Sequence, residues 1–484
     1  MSLKLLLVNP FLSGDFSALN LSLTAIGSYV NARTPHRASI CDLVFHRREW
    51  REHLALQIQA KRPDIVGISC DALYMGHIRA VVEEVRLRHG LPVVLGGHHT
   101  STTPDEVISI PGVDAIFLGD SERTLAEYLD RRSAGASMEG LTGVWTREPD
   151  GTVTKRGSGQ FEPDLDSLPS LDHDLWEDLD LYFRFLGSLY AIGSRGCPYR
   201  CTFCDAPGLD DAVPGKYFRL INPRRYVEDL ANDYQRYQHR GLKLFMLYDS
   251  VFTVDTEWLR QFTDAYREHG LDRKIGYSVF ARADNLDEER IRMLASSGCK
   301  MVRLGLETGD EKIRAEVYNK RISNAHIYDV VQQAHAAGLN LTTYFIFGGP
   351  GETRKSFDRT LRMAWELDTA RTPFYIYRPF TTKGREQLDQ LGGKIDERRW
   401  NTADDISFGA ATSGSDWGPR TVEVYQVLAY AITLARRFVR ELRIRKHRYF
   451  LDMAKYLYHG MRVGLRPRYL IPYFHVFADD VPAR

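Results

Sequence analysis

Short apolar runs alternate with segments whose apolar residues recur every three to four positions. In the first third the runs are residues 3–8, 38–43, 64–69, 91–97 and 115–120, and the helical segments are 21–31, 50–61, 78–89 and 123–131. Unbroken apolar runs of this length suit strands buried on both faces, and strand–helix alternation places them in a parallel sheet. The expected fold class is therefore α/β, beginning with a Rossmann-like doubly wound sheet. Ligands of such sheets bind beyond the carboxyl ends of the strands. Those ends carry Asn9, Asp42, Ser69 with Cys70, Gly96 with Gly97, His98 and His99, and Gly119 with Asp120.

A polar stretch, 151–185, with turn chemistry in Asp164-Leu165-Asp166-Ser167-Leu168-Pro169, reads as a low-order connector. The alternation then resumes. Strand patterns at 189–192, 243–248, 274–280, 301–309, 341–347 and 374–377 suit a partial six-fold (β/α) barrel better than a full eight-fold one. Beyond it, 422–442 is a strong amphipathic helix and 447–459 a second one. The expected division is a first domain over 1–145, a linker over 146–187, a barrel over 188–385 and a mostly helical C-terminal domain over 386–484.

The chemistry concentrates at the end of the first barrel strand, in Gly196-Cys197-Pro198-Tyr199-Arg200-Cys201-Thr202-Phe203-Cys204. Gly193, Gly196 and Pro198 break the strand into a loop. Structural zinc wants a fourth Cys or His, usually in a second paired block, and no second block exists. Three close thiolates suit a [4Fe-4S] cluster with one iron left open for another ligand, since such a cube otherwise takes four cysteines.

Composition narrows the setting. The 484 residues carry 64 Lys and Arg against 63 Asp and Glu, a net charge of +1, so no global field recruits nucleic acid. No apolar run approaches the roughly 20 residues that span a bilayer. The start runs from a short apolar stretch into Asn9-Pro10 and reads as a buried strand rather than a signal peptide. Cys41, Cys70 and Cys299 lie scattered outside the motif, which is no disulfide framework and suits a reducing cytoplasm.

The CxxxCxxC spacing, with Phe203 before the last cysteine, resembles the radical S-adenosylmethionine (SAM) superfamily. The first third resembles the cobalamin-binding domain that precedes the barrel in one large subfamily. That likeness rests on Asn9-Pro10, on Asp64-Ile65-Val66-Gly67-Ile68-Ser69, on Gly96-Gly97-His98-His99-Thr100 and on Gly119-Asp120-Ser121-Glu122. The resemblance implies that Cys197, Cys201 and Cys204 hold the cluster and that its open iron holds SAM. It implies a SAM site made of Phe203, Asp249 (toward the amino group), Arg282, Glu307 (toward the ribose and methionine), Gly348 and Gly349. It further implies cobalamin at the ten strand-end residues above, although a packing role suits Cys70 better than a cobalt contact.

The chain departs from the subfamily at several points. Position 98 is His where Pro is usual, Gly119 is followed by Asp rather than Glu, and the DxHxxG motif of cobalamin mutases is absent, as is usual in this subfamily. Thr308 stands where Ser is commoner. Pro379-Phe380-Thr381-Thr382 lacks the usual Pro-Gly-Thr turn near the substrate end.

The implied reaction is reductive SAM cleavage to a 5′-deoxyadenosyl radical, hydrogen abstraction from an unactivated carbon and methylation by methylcobalamin. A cyclase, dehydratase or rearrangement enzyme with an accessory cobalamin domain is the main alternative, and a non-catalytic cobalamin or redox sensor a remote one. The expected partners are a small-molecule substrate (a lipid, a pigment precursor or a secondary metabolite) and a reductant such as flavodoxin or ferredoxin. The Arg-rich C-terminal helices suit either a membrane surface or, preferably, packing on the barrel.

Overall fold

The computed structural model describes residues 2–12, 19–402 and 409–445, together with positions 451, 454, 457, 458 and 461. The chain forms two compact units. One comprises residues 1–182 with 205–221, the other 183–204 with 222–484.

The first unit is built on a seven-stranded sheet: β1 (Lys4–Asn9), β2 (Arg37–Asp42), β3 (Ile65–Ser69), β4 (Val93–Gly96), β5 (Ala115–Phe117), β6 (Val144–Arg147) and β7 (Val153–Arg156). The order is β2-β1-β3-β4-β5-β6-β7. The first five strands are parallel, and β6 and β7 add an antiparallel edge. Burial explains the continuous apolar runs. Val8, Val66, Ile68 and Leu95 pack against Ile78, Val81, Val82 and Val85 of the crossover that follows β3. Asn20 caps the first helix, Leu21–Arg33, by accepting from the Leu23 amide.

The expected low-order stretch from 151 to 185 holds more structure than its composition suggests. It contains β7 and the helix Leu179–Leu186. β7 reads Val-Thr-Lys-Arg and is half-exposed along an edge, so no apolar run announces it.

Two sequence-expected ligand residues are drawn into this framework. Asp42 is buried at the end of β2. Its carboxylate accepts from Asn9 Nδ2 at 2.9 Å, the Val44 amide at 3.1 Å and the Tyr182 hydroxyl at 2.7 Å. Asn9 is fully buried beside it. The pair ties β1, β2 and residue 182 together, so both side chains point into the protein and not toward a ligand edge.

The second unit is an open half-barrel of six parallel strands in sequential order: β8 (Ser188–Ala191), β9 (Leu244–Leu247), β10 (Gly276–Ala281), β11 (Cys299–Glu307), β12 (Asn340–Phe347) and β13 (Phe374–Ile376). Phe245, Val279, Leu304 and Phe345 form part of its closed face. The long helix Pro419–Arg445 packs on β13, where Gln426 donates to the Phe374 carbonyl at 2.7 Å and the Phe374 amide donates to the Tyr430 hydroxyl at 3.1 Å. Packing on the barrel is thus the arrangement this helix adopts, with Val424, Val427 and Leu428 on its exposed side. The second C-terminal helix expected over 447–459 falls largely outside the described residues. No helix among the described residues is long and apolar enough to cross a membrane.

Burial pushes Asp42 up to about 6 from 3.8, against the bonds from Tyr182, Val44 and Asn9. A folded-state value above the unfolded one means that the folded form binds more protons between those values. Its stabilising share is complete below about pH 4 and is lost as pH rises through 6. The Asp42→Asn variant is expected to flatten the fall in stability between about pH 4 and 6, measured by urea denaturation. Asn9, whose Oδ1 has no partner, can turn its amide over to accept from the new one. An unchanged slope would assign the titration elsewhere.

Candidate active site

The cysteine loop hangs from the carboxyl end of β8, and a buried carboxylate sets its departure. Asp249, at the end of β9, accepts from the Gly193 amide at 2.9 Å, from the Ser194 side chain and from the Tyr226 hydroxyl at 3.4 Å. A Cβ on Gly193 would lie 2.4 Å from the Tyr226 ring, which requires glycine there. Burial holds Asp249 near 6 despite these donors. Asp249 was expected to face the SAM amino group. Instead it is 1% exposed and engaged with the loop that carries the cysteines, a positioning role.

Cys201 is buried, and Cys197 and Cys204 are half-buried. Burial raises the Cys197 thiol, an effect that a neighbouring cation opposes. That cation is Arg282, one residue past β10. Its Nη1 donates to Cys201 Sγ at 3.2 Å, its Nε and Nη2 form a fork onto Asp284 at 3.0 and 2.8 Å, and its guanidinium lies 3.8 Å from the Tyr199 ring centroid. Tyr199 in turn donates to Asn285. Arg282 is thereby held rigidly against one cysteine of the loop. On the other side, Thr202 Oγ1 donates to the Val317 carbonyl at 2.6 Å and Asn319 Nδ2 to the Arg200 carbonyl at 2.9 Å. Phe203 meets Tyr318 edge-on, with ring centroids 5.3 Å apart.

Among the described residues, no three His, Cys, Asp or Glu side chains are placed to hold a single metal ion.

Glu307 ends β11 in the left-handed region, at φ 67°, where β11 and β12 shift register. Such a conformation in a non-glycine residue is strained and persists because its surroundings fix it. Lys320 does so: its Nζ donates to Glu307 Oε1 at 2.9 Å and to the Gly305 carbonyl at 2.6 Å, with both side chains buried. Gly348 and Gly349 follow β12. Their amides donate to Glu352 Oε2 at 2.8 and 3.0 Å, so the turn is closed by its own carboxylate. Burial pushes Glu352 up to about 8. A Cβ on Gly349 would lie 1.9 Å from the Tyr318 hydroxyl.

In the first unit the expected cobalamin residues separate into two sets. Ser69 and Gly96 are register partners at the ends of β3 and β4, both half-open, and a Cβ on Gly96 would meet nothing closer than 3.9 Å. His98 follows them, exposed, with Nδ1 3.0 Å from Asp205. This stretch fits a broad ligand lying on the sheet edge. The others are engaged internally. Gly97, at φ 126°, is pressed on the Cys70 carbonyl, and Gly119 on the Gln160 backbone. His99 is buried against Thr103, 3.0 Å from its Nδ1. Asp120 binds Arg219 at 2.5 Å and the Glu162 amide at 2.9 Å. Cys70 is buried with its Sγ 3.7 Å from Met75 Sδ, and burial drives its thiol pKa far up, which suits packing and not a cobalt ligand.

Sequence reasoning did not single out Lys320, Tyr226, Asp284 or Glu352. The Arg-Ala-Asp spacing at 282–284 and the Pro-Gly-Glu run at 350–352 were visible. Lys320, 13 residues beyond its partner, left no local signal.

The comparisons with known proteins agree with this geometry. Residues 192–364 match the model of the Radical SAM superfamily, and residues 17–129 that of the B12 binding domain. An uncharacterized methyltransferase of Pyrococcus horikoshii is 28% identical over 323 residues, covering 66% of this chain and 67% of that protein. A cytidylyl-2-hydroxyethylphosphonate methyltransferase of Streptomyces wedmorensis is 24% identical over 359 residues, covering 66% and 65%. The chain thus spans about two thirds of the length of these curated relatives. The solved structure of the radical SAM methyltransferase TsrM from Kitasatospora setae, with cobalamin and a [4Fe-4S] cluster bound, superposes with a TM-score of 0.66 at 22% identity, covering 84% of this chain and 78% of that one.

The two domains together define a radical SAM enzyme with a cobalamin-binding domain. The chain belongs to that family, whose cofactors are a [4Fe-4S] cluster, SAM and cobalamin.

Removing one partner of the Glu307–Lys320 pair leaves a buried charge unmatched. Lys320→Met is expected to cost about 3–5 kcal/mol in urea denaturation, and the double variant Glu307→Gln/Lys320→Met to recover much of it. Additive losses would show that the pair does not act as a unit.

Proposed function

We propose that this enzyme methylates an unactivated carbon of a small molecule, in a reducing cytoplasm, with flavodoxin or ferredoxin as electron donor. The observation that carries the reading is the contact of Arg282 with Cys201 in a three-cysteine loop at the carboxyl end of a six-stranded parallel half-barrel. When bound, the reduced cluster supplies the electron that cleaves SAM, and methylcobalamin supplies the methyl group.

The protein's part is to bind, orient and exclude water. Cys197, Cys201 and Cys204 would hold the cluster, with Asp249 fixing where their loop leaves the sheet. The fixed guanidinium of Arg282 lowers the cost of gathering negative charge at Cys201. Phe203, Glu307 and the Gly348–Gly349 turn are the proposed SAM contacts. Ser69, Gly96 and His98 are the proposed cobalamin contacts; a Cβ on Gly96 would meet nothing closer than 3.9 Å, which leaves room for a broad ligand there.

The test is an anaerobic assay of the enzyme loaded with cluster and cobalamin, given dithionite and SAM labelled in the methyl group. Wild type is expected to form 5′-deoxyadenosine and to pass label to cobalamin with release of S-adenosylhomocysteine. Cys201→Ala is expected to form no 5′-deoxyadenosine. Cluster-loaded wild type that forms none would overturn the reaction class. 5′-Deoxyadenosine without label on cobalamin would overturn the methyl transfer.

A further inference from the structure

The two faces of the half-barrel differ. On the closed face, side chains are buried on every strand. On the concave face, one band stays half-open: Tyr248 just past β9, Phe280 on β10, Gly305 on β11, Tyr344 on β12 and Tyr375 on β13. Neighbours on the same strands, such as Val279, Leu304, Phe345 and Phe374, are buried, as the alternation of a strand requires. The band is a chain of rings. Tyr190, buried on β8, meets Tyr248 at 5.1 Å between centroids, Tyr248 meets Phe280 at 5.3 Å, Phe280 meets Tyr344 at 6.1 Å and Tyr344 meets Tyr375 at 5.9 Å. The last two pairs lie near parallel, at interplanar angles of 24° and 16°. Beneath them, buried Arg303 sets its guanidinium 5.3 Å from the Phe280 centroid and donates to Met246 Sδ at 2.9 Å.

A barrel core made only for stability closes its interior with branched aliphatic side chains. Here the interior offers half-open aromatic side chains instead. Phe280 stands two residues before Arg282 on the same strand course, so the wall continues directly to the group that touches Cys201. Flat unsaturated ligands gain from such surfaces through offset stacking beyond what their area contributes, and aliphatic ones do not.

We infer that this wall is the substrate subsite and that it takes a flat, conjugated ring system. This deepens the reaction reading above and rests on it. Phe280, Tyr344 and Tyr375 form the stacking surface, and Tyr248 with Tyr190 closes one end edge-on. A flexible lipid chain has no matching gain here.

The test compares two probes of one skeleton and charge, 2-naphthoate and decahydro-2-naphthoate. Their binding to the enzyme loaded with cluster, cobalamin and SAM, without reductant, is read by equilibrium dialysis. The aromatic probe is expected to bind about tenfold more tightly. That preference is expected to fall to within about threefold in Tyr344→Leu and Tyr375→Leu and to persist in Tyr344→Phe, which keeps the ring. Equal binding of the two probes, binding of neither, or an undiminished preference in both leucine variants would overturn the inference. The same preparation, given dithionite, reports the reaction class separately. 5′-Deoxyadenosine without an aromatic preference sinks the subsite alone, and an aromatic preference without 5′-deoxyadenosine sinks the reaction class while leaving the ring site standing.

Discussion

The bond from the Gly193 amide to the buried carboxylate of Asp249 is the constraint on which the active end of the half-barrel depends. It ties the chain leaving β8 to the chain leaving β9. The cysteine loop therefore starts from a fixed point, not from a frayed strand end. The fit is close enough that Gly193 can carry no side chain against Tyr226. An iron–sulfur cluster needs three thiolates held in one arrangement through reduction and reoxidation, and a loop anchored by a buried hydrogen bond meets that need without a fourth ligand.

The other strand ends use the same device. Each carries an ionisable group whose partner is supplied from nearby in space: Asp284 for Arg282, Lys320 for Glu307, the Gly348 and Gly349 amides for Glu352. Buried charges persist when they are paired and hydrogen-bonded, and such pairing also fixes their direction. The strain at Glu307 belongs to this pattern, since its left-handed backbone is held by an ion pair. In the first unit the internal network of Asn9, Asp42 and Tyr182 and that of Asp120 and Arg219 stiffen the sheet. They leave the stretch at Ser69, Gly96 and His98 open.

Much of this was legible in the chain. The parallel strands read as unbroken apolar runs because both faces are covered, and the cysteine spacing gave the cluster directly. Two things escaped. β7 is a polar edge strand, so burial left no mark on Val153-Thr-Lys-Arg156. The roles of Asp249, Asp42 and Asp120 turned on side-chain direction. A strand-end carboxylate reads the same whether it faces a ligand or a backbone amide, and only the partner settles it. The same holds for Gly97 and Gly119, where the close approach that glycine permits is made by Cys70 and Gln160. The aromatic wall was hidden for a third reason. Its members come from five separate strand regions and share no local motif.

The most direct test of the account is whether the three-cysteine cluster keeps an open iron that takes SAM. Electron paramagnetic resonance of the dithionite-reduced enzyme, frozen with SAM carrying 15N at its amino group and 17O in its carboxylate, reads that iron. The account predicts a changed cluster signal on adding SAM, with hyperfine coupling to both labels. A loaded cluster whose signal neither shifts nor couples to the labels would contradict it.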